Sequence, residues 1–331
     1  MQKNLSKKSS DFSNQITHYY RSIFSNLPIE LQEKVKKELI KKYKKNHIHL
    51  DSKFLSDILS ADERQIKNGL WEFIMIDRLT QSSEVTHIDA HKDDGPDWCI
   101  QLKNGKKYYV EATCAGFPQK QMGSELHRAI EEIERTGETS WGNDLIEEAK
   151  SRISTRIMEK LVKHENLVKG SNTGYILLVS YPNLGIEHRH AIRTIMPVGG
   201  LTLAFERNIT GHTVITDQYL PYQDSYKKMK PTGSSTDKKY AEIQTNILGN
   251  EKHNWVSAIL FSEIPHLYLL EEASTIPDIQ WGKQNNDFVL VHNPTASNPL
   301  DIDIFNSATV LKFVNDQLIE EGVAVLEKFA L

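Results

Sequence analysis

Residues 85–113 read VTHIDAHKDDGPDWCIQLKNGKKYYVEAT, and this stretch decides the fold. It contains three short segments rich in β-branched and aromatic residues, which predict three strands at residues 85–90, 98–102 and 107–113. Asn104 and Gly105 separate the last two segments and are typical of a two-residue hairpin turn. The stretch therefore predicts three strands in close succession, the last two antiparallel.

Helical patterns flank these strands. One helix is expected after Pro28, a second from about Ser60 to Leu79, and a long charged one from about Asp144 to Val168. The apolar run at residues 175–180 then predicts a buried central strand. This order of elements predicts the α/β (α+β) class, with a mixed sheet flanked by helices.

The rest of the chain gives weaker signals. We expect an exposed loop over residues 222–240, which contains Lys227, Lys228 and Lys230 and could contact substrate. Two further strands are predicted at residues 256–262 and 287–292, and a closing helix at residues 308–329.

The N-terminal fifty residues differ in charge from the rest of the chain. They hold eleven Lys or Arg against four Asp or Glu, whereas the whole chain has a net charge of −4. We predict a basic helical extension at residues 1–50 and one elaborated domain at residues 51–331, with its core at about 60–181. The lysines of residues 34–45 either form a solvated helix face or steer a polyanion such as nucleic acid.

Composition excludes several classes of protein. A hydrophobic content of 39% and a charged content of 25% are typical of a globular chain. No apolar run approaches the ~20 residues that cross a bilayer, so we expect no membrane partner. The N-terminus lacks the apolar region of a secretory signal, and two cysteines are too few for a disulfide framework. A cytoplasmic location is therefore expected.

Three carboxylates are the candidates for chemistry. Asp97 follows Gly95-Pro96 just before one strand of the hairpin, and Glu111 lies near the end of the other strand. Adjacent antiparallel strands bring such positions side by side, and paired carboxylates are the ligands that Mg²⁺ or Mn²⁺ prefers. Glu72 lies in an otherwise apolar helical pattern and could supply a third oxygen ligand. The pattern predicts a site for a divalent cation.

This order of motifs resembles the PD-(D/E)XK nuclease superfamily, and it is also similar to bacterial proteins that carry GPD followed by a (V/I)EA strand end. The resemblance covers about residues 60–181, with a weaker similarity at residues 292–296. It implies a restriction-endonuclease-like αβββαβ core with added N- and C-terminal elements, and hydrolysis of nucleic acid, with DNA favoured over RNA. Carried over by position, Asp97 and Glu111 are catalytic metal ligands and Glu72 is an accessory one.

The chain departs from the superfamily motif at Thr113, where lysine is expected. A replacement is available on the long helix, where basic residues recur every four positions and therefore share one face: Arg152, Arg156, Lys160 and His164. Lys160 could reach the site from this helix as the catalytic lysine. Arg152, Arg156 and Thr113 are then candidates for binding substrate, and a solvated basic stripe is the alternative.

Two further alternatives stay open at this point. Without the motif lysine, the same fold could be a catalytically inactive module that binds nucleic acid or a protein partner. His87 and His91 near a strand end could bind a metal, although an exposed edge strand explains them better. A homodimer would pair two sites for cutting both strands of a duplex, and the sequence leaves the oligomeric state open.

Overall fold

The computed structural model describes a core of helices and strands together with two separate pairs of strands. The described residues are 14, 28–58, 60, 63–90, 95–116, 143–182, 191–192, 194–195, 201–207, 213–219, 225–229, 240–244, 247–248, 251–263, 288–305, 307, 309–314, 317–320 and 323–324.

The α-helices with described bounds all begin in the first half of the chain. They are α1 (Ile29–Asn46), α2 (Ser52–Ile58), α3 (Glu63–Gln81) and α4 (Asn143–Lys169). A 3-10 helix at His47–His49 joins α1 to α2, and another lies at Glu251–His253. Among the described residues, none of the helices is both long enough and apolar enough to cross a membrane.

The strands with described residues form one large mixed sheet and two separate hairpins. The large sheet contains β1 (Val85–Ala90), β2 (Trp98–Leu102), β3 (Lys107–Cys114), β4 (Gly174–Ser180), β9 (Val256–Ser262), β10 (Val289–His292), β11 (Thr309–Val314), β12 (Gln317–Glu320) and β13 (Val323–Ala324), in that spatial order. The hairpins pair β5 (Leu201–Arg207) with β6 (Thr213–Tyr219), and β7 (Ser225–Met229) with β8 (Tyr240–Gln244).

The pairing of neighbouring strands changes from antiparallel to parallel after β3. β1, β2 and β3 pair antiparallel, whereas β3 pairs parallel with β4, and β4 parallel with β9. Helix α4 provides the crossover between β3 and β4, because parallel neighbours need a long connection. The result is a mixed α/β fold whose sheet is flanked by helices.

Each face of the sheet carries its own apolar core. Helix α3 packs on one face, where Trp71 also donates a hydrogen bond of 3.1 Å from Nε1 to the carbonyl oxygen of Leu178. Helix α4 packs on the other face through three residues at helical spacing: Ile153, Ile157 and Leu161. Alternate residues of β3 and β4 serve the two cores, as the period of two along a strand requires.

The predictions for the hairpin and the long helix are confirmed. β1 and β2 have the predicted bounds, and β3 extends one residue beyond the prediction. Gly105 has a φ of 81°, the left-handed conformation that the turn requires. The predicted strands after residue 255 correspond to β9 and β10.

Two predictions for the second half are wrong. Residues 308–329 do not form a closing helix, because β11, β12 and β13 lie there, with Leu311 paired in register with Val291. Short apolar runs separated by turn residues cannot be assigned to helix or strand by periodicity, and pairing with β10 decides the outcome. The predicted loop over residues 222–240 contains β7, which pairs with β8.

Candidate active site

Glu111 projects from β3 toward α4. Its neighbours Val110 and Ala112 belong to the core on the α3 face, so the alternation of the strand turns Glu111 to the opposite face. The side chain is 2% exposed. A carboxylate buried to this extent requires partners, because an unpaired charge away from water is costly.

Asp97 lies beside Glu111, one residue before the start of β2. The pairing of Trp98 with Val110 continues the register to this point, and the backbone N–H of Ala112 donates a 2.7 Å hydrogen bond to Asp97 Oδ2. Burial and then the charge of Glu111 raise the pKa of Asp97 to about 8, against the lowering effect of the Ala112 hydrogen bond. Two carboxylates thus share one small region.

Lys160 and His164 approach Glu111 from α4. Lys160 Nζ forms an ion pair with Glu111 Oε1, and His164 Nε2 lies 3.3 Å from Oε2. The two residues are four positions apart, so they project from the same side of the helix. Burial would raise the pKa of Glu111, but His164 and Lys160 outweigh it and hold the pKa below its ordinary value.

Thr113, at the position of the motif lysine, contacts an arginine. Arg156 donates a 2.7 Å hydrogen bond from Nε to Thr113 Oγ1, and its Nη1 lies 2.9 Å from Glu159 Oε2. Thr113 is fully buried, whereas Arg156 is partly exposed. The Arg156 guanidinium is therefore anchored at Nε by Thr113, and its Nη1 pairs with the exposed Glu159. Arg152, one turn earlier on α4, is also partly exposed.

Glu72 reaches the same end of β3 from α3. Its Oε1 accepts a 2.7 Å hydrogen bond from Asn68 Nδ2, and Asn68 Oδ1 accepts one of 3.2 Å from the backbone N–H of Cys114. Burial, and then the charge of Asp97, raise the pKa of Glu72 well above its ordinary value. Glu72 is therefore close enough for its charge to act on Asp97.

The three carboxylates have the oxygen ligands that a hard divalent cation binds. The charge of Asp97 acts on Glu72 and that of Glu111 acts on Asp97. Glu111 Oε2 is a buried oxygen without a hydrogen-bond partner among the described residues. Such oxygens are the ligands of Mg²⁺ and Mn²⁺. In this conformation, however, the described part of the chain has no group of three His, Cys, Asp or Glu residues that could hold a metal. Lys160 supplies the positive charge next to Glu111 instead.

Sequence reasoning missed two contributors to this region. His164 was recognised only as a member of the basic face, although its spacing of four from Lys160 places both on one side. Asn68 precedes Glu72 by four residues on α3, and this spacing was the available signal. At the alternative metal site, His87 is exposed and its Nε2 lies 3.0 Å from Asp89 Oδ1, while His91 lies outside the described residues.

Comparison with known proteins found no similar protein. The chain matches no protein-family model, no curated protein and no solved structure.

Proposed function

We propose that this protein is a Mg²⁺- or Mn²⁺-dependent phosphodiesterase that hydrolyses nucleic acid, with DNA favoured over RNA. The observation that carries the proposal is that Lys160, from a helix, meets Glu111 beside Asp97 at the end of β3. Two carboxylates and a lysine in one place are the groups that a PD-(D/E)XK site needs, although the lysine comes from another element.

The arrangement of elements also favours a restriction-endonuclease-like core. Helix α3 precedes β1, β2 and β3, and α4 then leads to β4, which gives the order αβββαβ. The first three strands form an antiparallel meander, and β4 lies parallel to β3. This is the order that the resemblance implies for residues 60–181.

Each residue has a distinct task in the proposed reaction. Asp97 and Glu111 would hold the cation, with Glu72 assisting, and the bound cation would supply the Lewis acid that stabilises charge on the phosphate. Lys160 would leave Glu111 to orient the attacking water or contact the phosphate, since it is long and 17% exposed. Arg156, anchored by Thr113, and Arg152 would bind the substrate phosphates.

Charge favours a polyanionic substrate. Basic side chains of α4 flank the acidic centre, and exposed lysines of α1 such as Lys41, Lys44 and Lys45 add positive surface elsewhere on the described chain. Clustered lysine and arginine contribute most of the sequence-independent affinity for nucleic acid. A cation at the acidic centre would offset the charge of the carboxylates when a phosphate approaches.

A second function is favoured by three observations. Thr113 replaces the motif lysine, Lys160 is engaged with Glu111, and the described residues include no three-ligand metal group. These features suit a catalytically inactive module that retains the fold and binds nucleic acid or a protein partner.

Cleavage assays distinguish the two functions. Single- and double-stranded DNA and RNA would be incubated with Mg²⁺ or Mn²⁺ and the wild type or one of four variants: Asp97→Ala, Glu111→Ala, Lys160→Ala and Lys163→Ala. Lys163 is an exposed lysine of α4 and serves as the matched control. The enzyme predicts cutting that the first three changes abolish and the control retains. Binding without cutting by the wild type would favour the inactive module.

A further inference from the structure

The two oxygens of Glu111 have different partners. Oε1 pairs with Lys160, whereas Oε2 faces His164 Nε2 at 3.3 Å, in an alignment outside that of a hydrogen bond. Neither Oε2 nor Nε2 has a hydrogen-bond partner among the described residues. A small rotation of the imidazole ring would satisfy both buried atoms, which is the usual state of buried polar groups.

Lys160 and His164 also differ in how easily each can move away from Glu111. Lys160 is 17% exposed, while His164 is 1% exposed. The His164 ring packs against Tyr175, with ring centroids 6.0 Å apart, and Tyr175 packs against Trp255 at 5.3 Å. Lys160 can therefore exchange Glu111 for another partner, but His164 is confined beside it.

We propose that His164 is a positioning residue for Glu111. It fixes Oε2 through Nε2, and this leaves Oε1 as the exchangeable oxygen that either Lys160 or a divalent cation takes. The inference rests on the proposed function, because the exchange matters only if Glu111 binds a cation. It assigns to the histidine a task separate from that of the lysine one turn away.

The proposal matches the way that other metal sites are built. Residues that orient a ligating side chain are themselves outside the coordination sphere, and their loss weakens metal binding by about 10- to 100-fold. A glutamate with one fixed oxygen has lost most of its rotational freedom before the cation arrives. Removing His164 would restore that freedom, because it takes away the nitrogen that faces Oε2 at 3.3 Å.

Binding of Mn²⁺ alone, measured by calorimetry, is the primary test. His164→Gln keeps a nitrogen donor near the position of Nε2, and His164→Leu removes it. His253→Leu is the matched control, because His253 is also buried beside Trp255, at 6.5 Å between ring centroids. We expect His164→Leu to lose about 10- to 100-fold in Mn²⁺ affinity, with wild-type affinity largely kept by the other two variants. Equal affinity in folded His164→Leu and wild type would overturn the proposal.

A second readout separates failure of this inference from failure of the proposed function. The nitrogen-15 shifts of the His164 imidazole report its contact with Glu111 without any metal. We expect Glu111→Gln to change these shifts markedly while those of His253 stay the same. If the shifts respond but the wild type binds no Mn²⁺, the metal-dependent function fails and the contact is only structural. Unchanged His164 shifts would refute the positioning role.

Discussion

Two buried lysine–carboxylate pairs in this molecule have opposite surroundings. Lys42 of α1 pairs with Asp77 of α3, and Asp77 also accepts hydrogen bonds of 2.8 Å from Asn46 and 2.8 Å from Gln81. The pair is closed, with side-chain exposures of 7% and 1%. Glu111, by contrast, shares its region with Asp97 and has one oxygen without a hydrogen-bond partner among the described residues.

The surroundings of an ion pair thus distinguish a structural pair from a functional one. A closed, fully hydrogen-bonded pair joins elements, here α1 to α3, and has no capacity left for a ligand. A pair that has one oxygen without a hydrogen bond and lies beside a second carboxylate can still bind a ligand. We therefore predict that changes at the Lys42–Asp77 pair mainly affect stability and that changes at the Lys160–Glu111 pair mainly affect activity.

The largest effect is expected for Glu111→Gln. This change keeps the size of the side chain but removes the charge, and cleavage should fall on the order of 10³-fold, as for loss of a group that stabilises transition-state charge. The free energy of unfolding should change less than in a variant that removes the acceptor, because glutamine keeps an oxygen for the partly exposed Lys160. Nuclease assays and urea titration check the two parts. Retained cleavage would contradict a ligand role for Glu111.

Asp77→Leu should have the next largest effect, on stability alone. It leaves the Lys42 ammonium buried without its carboxylate, and removing one partner of a buried pair costs about 3–5 kcal/mol. The free energy of unfolding should fall accordingly, while cleavage per folded molecule stays near that of wild type.

The double variant Lys42→Met/Asp77→Leu tests whether the unpaired charge of Lys42 causes this loss of stability. Replacing both partners of a buried pair by apolar residues is often neutral, so most of the stability lost in Asp77→Leu should return. The corresponding Lys160→Met/Glu111→Leu variant should fold but should not cut. Recovery of cleavage in the latter would show that the second pair is structural as well.

The raised pKa of Asp97 predicts a stability that depends on pH. Between 3.8 and about 8 the folded protein retains a proton on Asp97 that the unfolded chain has lost, so stability falls as pH rises through this window. Asp97→Asn should remove this loss, worth roughly 2 kcal/mol between about pH 5 and about pH 8 after screening at a partly exposed group. Urea unfolding of both proteins at the two pH values measures it. Parallel behaviour of wild type and variant would refute it.

Thr113→Val should give the smallest effect. It removes the hydroxyl that accepts the Arg156 hydrogen bond but keeps the shape of the side chain. If Arg156 binds a substrate phosphate, substrate affinity should fall about tenfold, which corresponds to about 1.4 kcal/mol. Thr113→Ser, which keeps the acceptor, is the control, and the Michaelis constant is the measurement. No difference between the two variants would remove Arg156 from the substrate site.

Local signals explain which parts of the fold could be predicted. Alternation and the Asn104-Gly105 turn define the hairpin within the sequence itself, and the four-residue spacing on α4 identifies the face that carries Lys160. The strands after residue 308 depend on pairing with β10, a distant contact that periodicity does not contain.

Helix α1, which is rich in lysine, also shows that local spacing does not identify a contact with a distant segment. Of the lysines predicted to lie on a solvated or polyanion-steering face, Lys42 is buried. Its spacing from Leu39 and Asn46 places it on the inner face of α1, so the signal was present. Its partner Asp77 lies on another helix and could not be identified from spacing. The contact between His164 and Glu111 depends on tertiary structure in the same way.

The most direct test compares Lys160→Met with Lys42→Met in one experiment. Both changes remove one ammonium from a buried pair with little change in side-chain length. Thermal unfolding and Mn²⁺-dependent cleavage of DNA would be measured for each at a temperature where both are folded. We predict that Lys160→Met abolishes cleavage and lowers the melting temperature less than Lys42→Met does, because His164 still faces Glu111. Lys42→Met should lower the melting temperature more but still cut. Cleavage by Lys160→Met, or equal loss of stability in both, would contradict this prediction.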